Sequence, residues 1–423
     1  MTIVLSWVLL SLVARTLERS WWSPGALISL LFTVNAIGTE VFAPEYYDSL
    51  GANLLLELFA LCMVVGSVLG QSVTGRESGP IRAVVARRWG FIAFGSVFAI
   101  LSFGITLQVV GARFGELISP ASLMNIAQSA TQHRYKEGFD FPVYYNICNA
   151  LVLTYSMVAA SHFVAARRVD VLMLAPVLLY SASNVLVTTR APILYLITLM
   201  LFAAVFTGRS LTGRFIPMFS ARFLAVFGLL AGVVAGLFFY FQVLRFGESS
   251  QRSSADVWLH LRRWPWGSLP GFSLWHDGMG GTTPEHHVGY YTFMGIYDNL
   301  GIEPRTVGGY SDYVYLTVNE PGNIYTAFRG MVLDFGRLGT GVVMLCIGFI
   351  GSIASRHQVF SARWALVVYV GVSSFVVWTF VISFWAFTAN LLGLAAFPIV
   401  QRVFCDRTVK LQKAKDDVEQ SIN

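Results

Sequence analysis

The stretch Asn323-Ile-Tyr-Thr-Ala-Phe-Arg-Gly-Met-Val-Leu-Asp-Phe-Gly-Arg-Leu-Gly339 leads directly into an apolar run at 338–354. It places a tyrosine, an arginine and an aspartate at the mouth of a hydrophobic helix. Charged side chains at such a position are costly, and they are tolerated where a ligand or another part of the protein uses them. The stretch therefore predicts a membrane-spanning helix with a functional site at one end.

The composition of the whole chain agrees with a membrane protein. Of its 423 residues, 55% are hydrophobic and only 12% are charged, and the mean hydropathy is +0.63. A soluble globule of this composition would have too little polar surface. The sequence therefore predicts an all-α polytopic membrane protein.

Apolar runs long enough to cross about 30 Å of hydrocarbon predict about 11 transmembrane helices, within a range of about 10–12. The runs lie at 1–14, 24–43, 51–72, 89–111, 143–166, 169–187, 191–207, 222–245, 338–354, 364–382 and 384–401. The first run is short, and it lacks the basic leader and small-residue cleavage site of a signal peptide. We therefore expect a retained helix there.

Basic residues predict the orientation of these helices. Arginine and lysine fall in alternate connections, at 15–19, 76–88, 167–168, 209–222 and 356–363, and in the tail from 402. The positive-inside rule assigns these connections to the cytoplasm, so the N-terminus would face out and the tail in. Topology and the anionic inner leaflet explain the net charge of +6, and no nucleic-acid partner is needed.

This topology divides the chain into four segments. They are an N-terminal transmembrane bundle at 1–245 with an interfacial loop at 112–142, a large external loop at 246–323, a C-terminal bundle at 324–401, and a cytoplasmic basic tail at 402–423. Apolar residues at helical spacing in the 112–142 loop predict an amphipathic interfacial helix, which covers the bundle or gates lateral access of a lipid.

The large external loop is rich in aromatic residues, which a disordered chain would not carry. Loops of this length are usually functional or disordered, so we expect a folded, functional segment. Aromatic rings beside polar groups suit carbohydrate, whose C–H faces stack on rings while hydroxyls take hydrogen bonds. A membrane-interface belt is the alternative interpretation of the same rings.

Three arginines, Arg190, Arg245 and Arg329, lie near the external ends of three separate predicted helices. Positive-inside logic disfavours arginine at that level. A diphosphate would bind such a cluster through bidentate, charge-assisted contacts. The alternatives are snorkelling to outer-leaflet phosphates and pairing with carboxylates such as Glu40 or Asp334.

Spacing within the quoted stretch separates its charges. A helix capped by Asn323 would place Tyr325 and Arg329 on one face. Asp334 would lie about 140° round from Arg329, at about 100° per residue, and could instead pair with Arg337, three residues on. Arg329 would then be left for a ligand or another helix.

Histidines supply the remaining chemistry. His276, His286 and His287 cluster with Asp277 and Glu285, but their spacing matches no zinc pattern, so we expect no metal. A single histidine serving as general base toward a sugar hydroxyl is more economical. An ordinary surface histidine is the alternative interpretation for each of the three. The chain also lacks a Gly-Lys-Ser/Thr phosphate loop, so we expect no cofactor, and the activated donor would be a lipid-linked sugar already across the membrane.

An ordered series of motifs resembles a known family. Gly289-Tyr-Tyr-Thr-Phe-Met-Gly-Ile296, Asn323-Ile-Tyr-Thr-Ala-Phe-Arg329 and Leu333-Asp-Phe-Gly-Arg-Leu-Gly339 resemble the bacterial oligosaccharide repeat unit polymerases, the O-antigen polymerases of the Wzy type. The layout of spans, the long external loop late in the chain and the arginine at 190 add to the resemblance. It implies a fold similar to the GT-C-like lipid-sugar glycosyltransferases.

The resemblance also implies a location and a reaction. An inner-membrane enzyme would join undecaprenyl-diphosphate-linked oligosaccharide units at the periplasmic face, within membrane lipid, without a metal and alongside a Wzz-type chain-length regulator. The incoming unit's hydroxyl would attack the anomeric carbon of the growing chain, and undecaprenyl diphosphate would leave.

In that reaction Arg190, Arg245 and Arg329 would hold the diphosphate and stabilise its charge. His286 or His287 would be the base. Asn323, Tyr325 and Asp334 would shape the site, with Arg329 and Asp334 among its catalytic residues.

Two other functions are compatible with these sequence features. An O-antigen ligase would transfer finished glycan from the same carrier to the lipid A core, and it would share the fold and the arginines. A flippase or other transporter of lipid-linked oligosaccharides is the non-enzyme alternative. Transporters concentrate polar residues near the midplane of paired repeats, whereas here the charges gather at one face and no internal repeat is evident.

Overall fold

The computed structural model describes residues 2–74, 84–114, 141–187, 189–218, 220–221, 254–278, 287–306, 309–310, 312–318, 320–356 and 361–407, with isolated helical positions between 225 and 239. Its helices are α1 Thr2–Glu18, α2 Pro24–Phe42, α3 Leu50–Thr74, α4 Arg88–Phe114, α5 Val143–Ala166, α6 Val171–Leu186, α7 Ala191–Thr212, α8 Ser254–Trp266, α9 Ser268–Gly278, α10 Tyr290–Asn299, α11 Ala327–Arg356, α12 Ala362–Trp378 and α13 Thr388–Phe404. Its short strands are β1 Val84–Ala86, β2 Val314–Thr317, β3 Glu320–Gly322 and β4 Cys405–Arg407.

Six of the described helices are long and apolar enough to cross a membrane, namely α2, α3, α4, α5, α7 and α11. The shorter helices α6, α12 and α13 are also apolar. These helices confirm the prediction of an α-helical, multi-pass membrane protein. Every predicted span coincides with a helix except 222–245, which lies mostly outside the described residues, so the count of eleven stays a prediction.

Helices α3 and α11 approach each other more closely than side chains allow. A Cβ added at Gly66 of α3 would lie 2.0 Å from the carbonyl oxygen of Leu345, and one added at Gly348 of α11 would lie 2.1 Å from the carbonyl oxygen of Met63. Small residues permit such backbone contact, which is a main source of helix association in lipid. The two glycines therefore fix α11 against the N-terminal bundle.

We expect Gly66→Ala to destabilise the protein by about 1–3 kcal/mol, the usual cost of overpacking, because its methyl group meets rigid backbone. Thermal unfolding of the purified protein in one detergent measures the loss. Gly104→Ala in α4 is the matched control, since nothing lies within 4 Å of its added Cβ. Equal destabilisation of both variants would contradict the close-packing explanation.

Helices from both sides of the large loop share one hydrophobic core. Phe32 of α2 and Phe59 of α3 contact Phe328 of α11, at ring-centroid distances of 5.8 and 5.3 Å. Thr154 of α5 donates a hydrogen bond of 2.7 Å to the carbonyl of Gly393 in α13. The segments predicted as N- and C-terminal bundles thus pack together in the described structure, where α11 contacts α2, α3, α10 and α12.

The described parts of the 246–323 loop are folded at one end of this bundle, which we term the loop end. Arg262 of α8 donates to both carboxylate oxygens of Glu320 in β3, at 3.1 and 3.0 Å. It also pairs with Glu45 and lies over the ring of Tyr46, both in the α2–α3 connection. Buried charges need such pairing, and this one ties the loop to the helices beneath it.

At another point of the bundle, β1 pairs with β4 in antiparallel register, Val84 opposite Arg407 and Ala86 opposite Cys405. The amide of Ala86 donates to Nδ1 of His162 at 3.2 Å. This short sheet joins the chain before α4 to the chain after α13. Hydropathy does not predict it, because three-residue strands carry no periodic signal.

Candidate functional site

The helix that carries Arg329 begins at Ala327, so the predicted cap at Asn323 is wrong. Residues 320–322 form β3, which pairs with β2 as Val314 opposite Gly322, and residues 323–326 have no regular secondary structure. The hairpin therefore takes the residues that resembled a helix start. The amide of Ala327 donates to the carbonyl of Thr379, at the end of α12, at 2.6 Å.

Gly336 interrupts α11 a few residues beyond Arg329. Its φ of 70° and ψ of 175° belong to a region that only glycine occupies readily. An outer segment at 327–335 is thus separate from the membrane segment at 337–356. The predicted pairing of Asp334 with Arg337 assumes a continuous helix, and Gly336 removes that premise.

Arg329 lies in the outer segment, among aromatic rings and one carboxylate. Its Nη2 donates to both oxygens of Asp312, at 2.7 and 2.8 Å. Its Cζ lies 4.0 Å from the ring centroid of Tyr325, 4.4 Å from that of Tyr310 and 5.4 Å from that of Trp275. Cation–π attraction of this kind stabilises a desolvated guanidinium.

The hydrogen-bonding capacity of Arg329 is only partly used. Among the described residues, its buried Nε and Nη1 have no acceptor. The side chain of Arg329 is 7% exposed whereas that of Asp312 is 51% exposed. A guanidinium keeps its charge and its five N–H donors, and a buried donor without a partner costs about 1–3 kcal/mol. Arg329 is therefore suited to bind an anionic ligand whose oxygens accept hydrogen bonds from Nε and Nη1.

Asp334 forms its hydrogen bonds with α10 and not with Arg329. Its position on the helix, on a different face from Arg329, predicts this separation. Its carboxylate accepts from the amides of Tyr291 and Thr292, at 3.0 and 2.7 Å, and from the hydroxyl of Thr292 at 2.6 Å. These amides belong to the first turn of α10, where donors lack partners within the helix. Asp334 thus caps α10 from outside, and its proposed catalytic role stays a prediction.

Tyr325 completes the surroundings of Arg329. It is fully buried, and its hydroxyl donates to the carbonyl of Asp312 at 3.3 Å. Burial raises the pKa of Tyr325 to about 12, so its phenol stays protonated and acts as a donor. Asn323 is half-buried just before it.

Arg190 lies at the same end of the bundle. It is 4% exposed and directly precedes α7. Tyr195, in the next turn, packs against Trp378 at a ring-centroid distance of 4.2 Å. Trp378 adjoins Thr379, which accepts the amide of Ala327. The starts of α7 and α11, which carry Arg190 and Arg329, thus both lie near the end of α12, whereas Arg245 lies outside the described residues.

The structure also shows a cation at the loop end that the sequence analysis missed. Arg305 lies with its Cζ 4.2 Å from the ring centroid of Phe387. Phe387 in turn packs against Tyr195 at 4.8 Å, close to Arg190 along α7. Arg305 had no distinguishing signal, since it follows a proline in a turn far from any predicted span. Trp275 and Tyr310 belong to the aromatic set predicted to suit carbohydrate, but their contacts with Arg329, and that of Asp312, were not predicted, because only the fold brings these residues together.

The predicted histidines divide between described and undescribed residues. His286 lies outside the described residues. His287 has a side chain that is 62% exposed, and its Nδ1 lies 3.1 Å from Glu303 Oε2. His276 is less exposed, at 17%, and its Nδ1 lies 2.9 Å from Asp277 Oδ1. Within the described residues, no group of three or more His, Cys, Asp or Glu side chains is arranged to hold a metal.

Comparison with models of known families, with curated proteins and with solved structures finds no match to this chain. The function of this chain is therefore inferred from its own residues. They place a buried, incompletely paired arginine, a second buried arginine and a set of aromatic rings at the loop end of a membrane helix bundle. Such an arrangement is typical of a site for an anionic ligand with an apolar or sugar-bearing portion.

Proposed function

We propose that this protein is a glycosyltransferase of the bacterial inner membrane, which joins undecaprenyl-diphosphate-linked oligosaccharide units into a surface polysaccharide at the periplasmic face. The observation that carries the proposal is the guanidinium of Arg329, which is buried and aromatic-lined and has two N–H-bearing nitrogens without acceptors among the described residues. The resemblance to Wzy-type polymerases supports the same assignment.

A diphosphate suits Arg329 better than a single carboxylate does. Asp312 contacts one nitrogen only, so the other two can pair with phosphate oxygens. Arginine binds phosphate through several charge-assisted hydrogen bonds at once, which gives both affinity and orientation. Arg190, at the start of α7, would contribute a second positive charge, and Arg245 would contribute a third.

The reaction requires stabilisation of a growing negative charge. As the acceptor hydroxyl bonds to the anomeric carbon, the bond from that carbon to the diphosphate breaks, and its electron pair leaves with undecaprenyl diphosphate. Fixed positive groups beside the leaving oxygen stabilise this transition state more than the ground state. The arginines supply that charge from the protein itself.

The rings around Arg329 suit the sugar that follows the diphosphate. Tyr291 stacks on Tyr310 at 5.5 Å, and Tyr310 lies over Arg329. Trp275 is half-buried on the other contributing helix, α9. Aromatic faces pack on the C–H faces of sugars, and the nearby Tyr325 and Asn323 offer hydrogen bonds to hydroxyls.

Glycan profiling of a deletion strain tests the proposal. Complementation with Arg329→Ala or Arg190→Ala is expected to reduce the polysaccharide ladder to one repeat unit, because the diphosphate is no longer held. Arg245→Ala tests the third predicted arginine in the same way. Arg337→Ala is the matched control, an exposed arginine on the same helix beyond Gly336, and it should leave the ladder unchanged.

Other outcomes favour the alternatives. Loss of every unit attached to lipid A, with polymerisation intact, would indicate a ligase. A purified protein that moves lipid-linked units between leaflets without forming a glycosidic bond would indicate a transporter. An unchanged ladder in both Arg329→Ala and Arg190→Ala would contradict a diphosphate site at the loop end.

A further inference from the structure

We infer that His276 is the general base that deprotonates the acceptor hydroxyl. This inference rests on the proposed glycosyl transfer, and it names the residue that performs the proton transfer at that site. It is carried by a preorganised pair of His276 and Asp277, which sits on the same helix as a ring that touches Arg329.

The carboxylate of Asp277 is held in place by two hydroxyls from the α2–α3 connection. Tyr47 Oη donates to Oδ2 at 2.6 Å, and Ser49 Oγ donates to Oδ1 at 3.0 Å. His276 Nδ1 lies 2.9 Å from the same Oδ1. The hydrogen bonds from Tyr47 and His276 lower the pKa of Asp277, so the carboxylate stays ionised beside the imidazole.

This arrangement determines which nitrogen of His276 can accept a proton. An ionised carboxylate has no hydrogen to donate, so Nδ1 carries the hydrogen that Asp277 accepts. Nε2 then presents its lone pair. A carboxylate in this relation orients the imidazole and stabilises the imidazolium that forms when Nε2 takes a proton. The imidazole remains 17% exposed, which leaves it accessible.

One short helix, α9, links this pair to the proposed diphosphate site. Trp275, the residue before His276, lies over Arg329. Phe272, one turn earlier on α9, packs against both Trp275 and His276, at ring-centroid distances of 5.3 and 6.2 Å. In the direct displacement proposed here, the acceptor oxygen and the leaving diphosphate lie on opposite sides of the anomeric carbon. Trp275 and His276, which are adjacent on α9, can contact the diphosphate site and the acceptor sugar respectively.

The helix that carries His276 is itself held firmly. Ser273 Oγ donates to Asp48 Oδ1 at 3.2 Å, and Asp48 Oδ1 also accepts from the side-chain Nδ2 of Asn53 at the start of α3. Trp7 Nε1 of α1 donates to the side-chain Oδ1 of Asn53 at 3.3 Å. Catalytic groups work best on rigid supports, and α9 is fixed to α1 and α3.

His287, the alternative base, is held less firmly among the described residues. Its side chain is mostly exposed, and its ring packs loosely against Tyr297, at a centroid distance of 5.9 Å. An exposed side chain keeps more rotamer freedom and so holds a reacting proton less well. The geometry therefore favours His276.

The step that His276 performs is simple. The acceptor hydroxyl gives its proton to Nε2 while its oxygen bonds to the anomeric carbon. The bond from that carbon to the diphosphate oxygen breaks, and both electrons leave with undecaprenyl diphosphate. The imidazolium then releases its proton to solvent, so the histidine is regenerated.

The test uses the purified full-length protein in lipid nanodiscs, with undecaprenyl-diphosphate-linked oligosaccharide as donor and acceptor. His276→Ala is expected to lower kcat by about 10²–10⁴, the usual contribution of a general base, while KM and the affinity for undecaprenyl diphosphate change less than about threefold. Added imidazole should restore part of the rate by filling the vacated space. Tyr315→Phe, an exposed tyrosine of β2, is the control and should match the wild type.

Several results would overturn the inference. If His276→Ala keeps full kcat, or if His287→Ala carries the large loss instead, His276 is not the base. If His276→Ala loses its fold, His276→Gln is measured, and a rate within threefold of wild type would have the same meaning. These results differ from those expected if the proposed function itself is wrong. In that case the wild type would form no glycosidic bond, and Arg329→Ala would bind undecaprenyl diphosphate as tightly as wild type.

Discussion

Arg329→Lys is expected to weaken the binding of undecaprenyl diphosphate by about 10- to 100-fold, although it keeps the positive charge. A lysine ammonium is a compact point charge without the planar set of donors that arginine offers to phosphate. Each hydrogen bond to a charged group contributes about 1.5–3 kcal/mol, and about 1.4 kcal/mol is a factor of ten. Losing one such contact accounts for the expected change.

The measurement is a titration of the nanodisc-embedded protein with undecaprenyl diphosphate. Arg337→Lys is the matched control, because Arg337 is exposed on the other side of Gly336. Undecaprenyl monophosphate is a useful second ligand, since it offers fewer oxygens and should discriminate less between Arg329 and lysine. Equal affinity of the Arg329→Lys and wild-type proteins for the diphosphate would contradict direct pairing.

Asp334→Ala is expected to destabilise the protein by about 2–4 kcal/mol. The carboxylate satisfies two amides at the start of α10 and the hydroxyl of Thr292, and each buried donor without a partner costs about 1–3 kcal/mol. Water entering the vacated space limits the loss. The first turn of α10 should also open, because its amides have no partner within the helix.

Thermal unfolding and hydrogen exchange at α10 measure these two effects. Asp334→Asn provides a graded comparison, since an amide keeps one acceptor oxygen, and it should fall between wild type and alanine. If the alanine variant unfolds at the wild-type temperature and protects α10 equally, the capping role of Asp334 is wrong. A loss of activity with intact stability would instead favour the catalytic role predicted from the sequence.

Hydropathy predicts the helices of this protein well because a span needs a long apolar run and little else. The runs at 51–72 and 143–166 reappear as α3 and α5 with nearly the same bounds. The same pattern says nothing about the close contact of Gly66 with the backbone of α11. That contact depends on which helices become neighbours, and a single sequence does not carry this information.

The site was predicted less completely, for a related reason. Helical spacing correctly separates Arg329 from Asp334, because both lie in one short helical segment. Their actual partners, Asp312 and the start of α10, come from the loop. Asn323 was misplaced because strand β3, only three residues long, competes with a helix start and has no periodic pattern of its own. Tertiary contacts thus determine the partners of Arg329 and Asp334, which local spacing alone does not specify.

The break at Gly336 has a consequence for how the protein tolerates change. The outer segment of α11 is anchored through Ala327 to the end of α12 and through Asp334 to α10, while its membrane segment is anchored to α3. Because the two segments meet at one glycine, substitutions in the lipid-embedded half transmit little rotation to Arg329. The membrane segment can therefore change its length or tilt with bilayer thickness while Arg329, the proposed anion-binding residue, keeps its position.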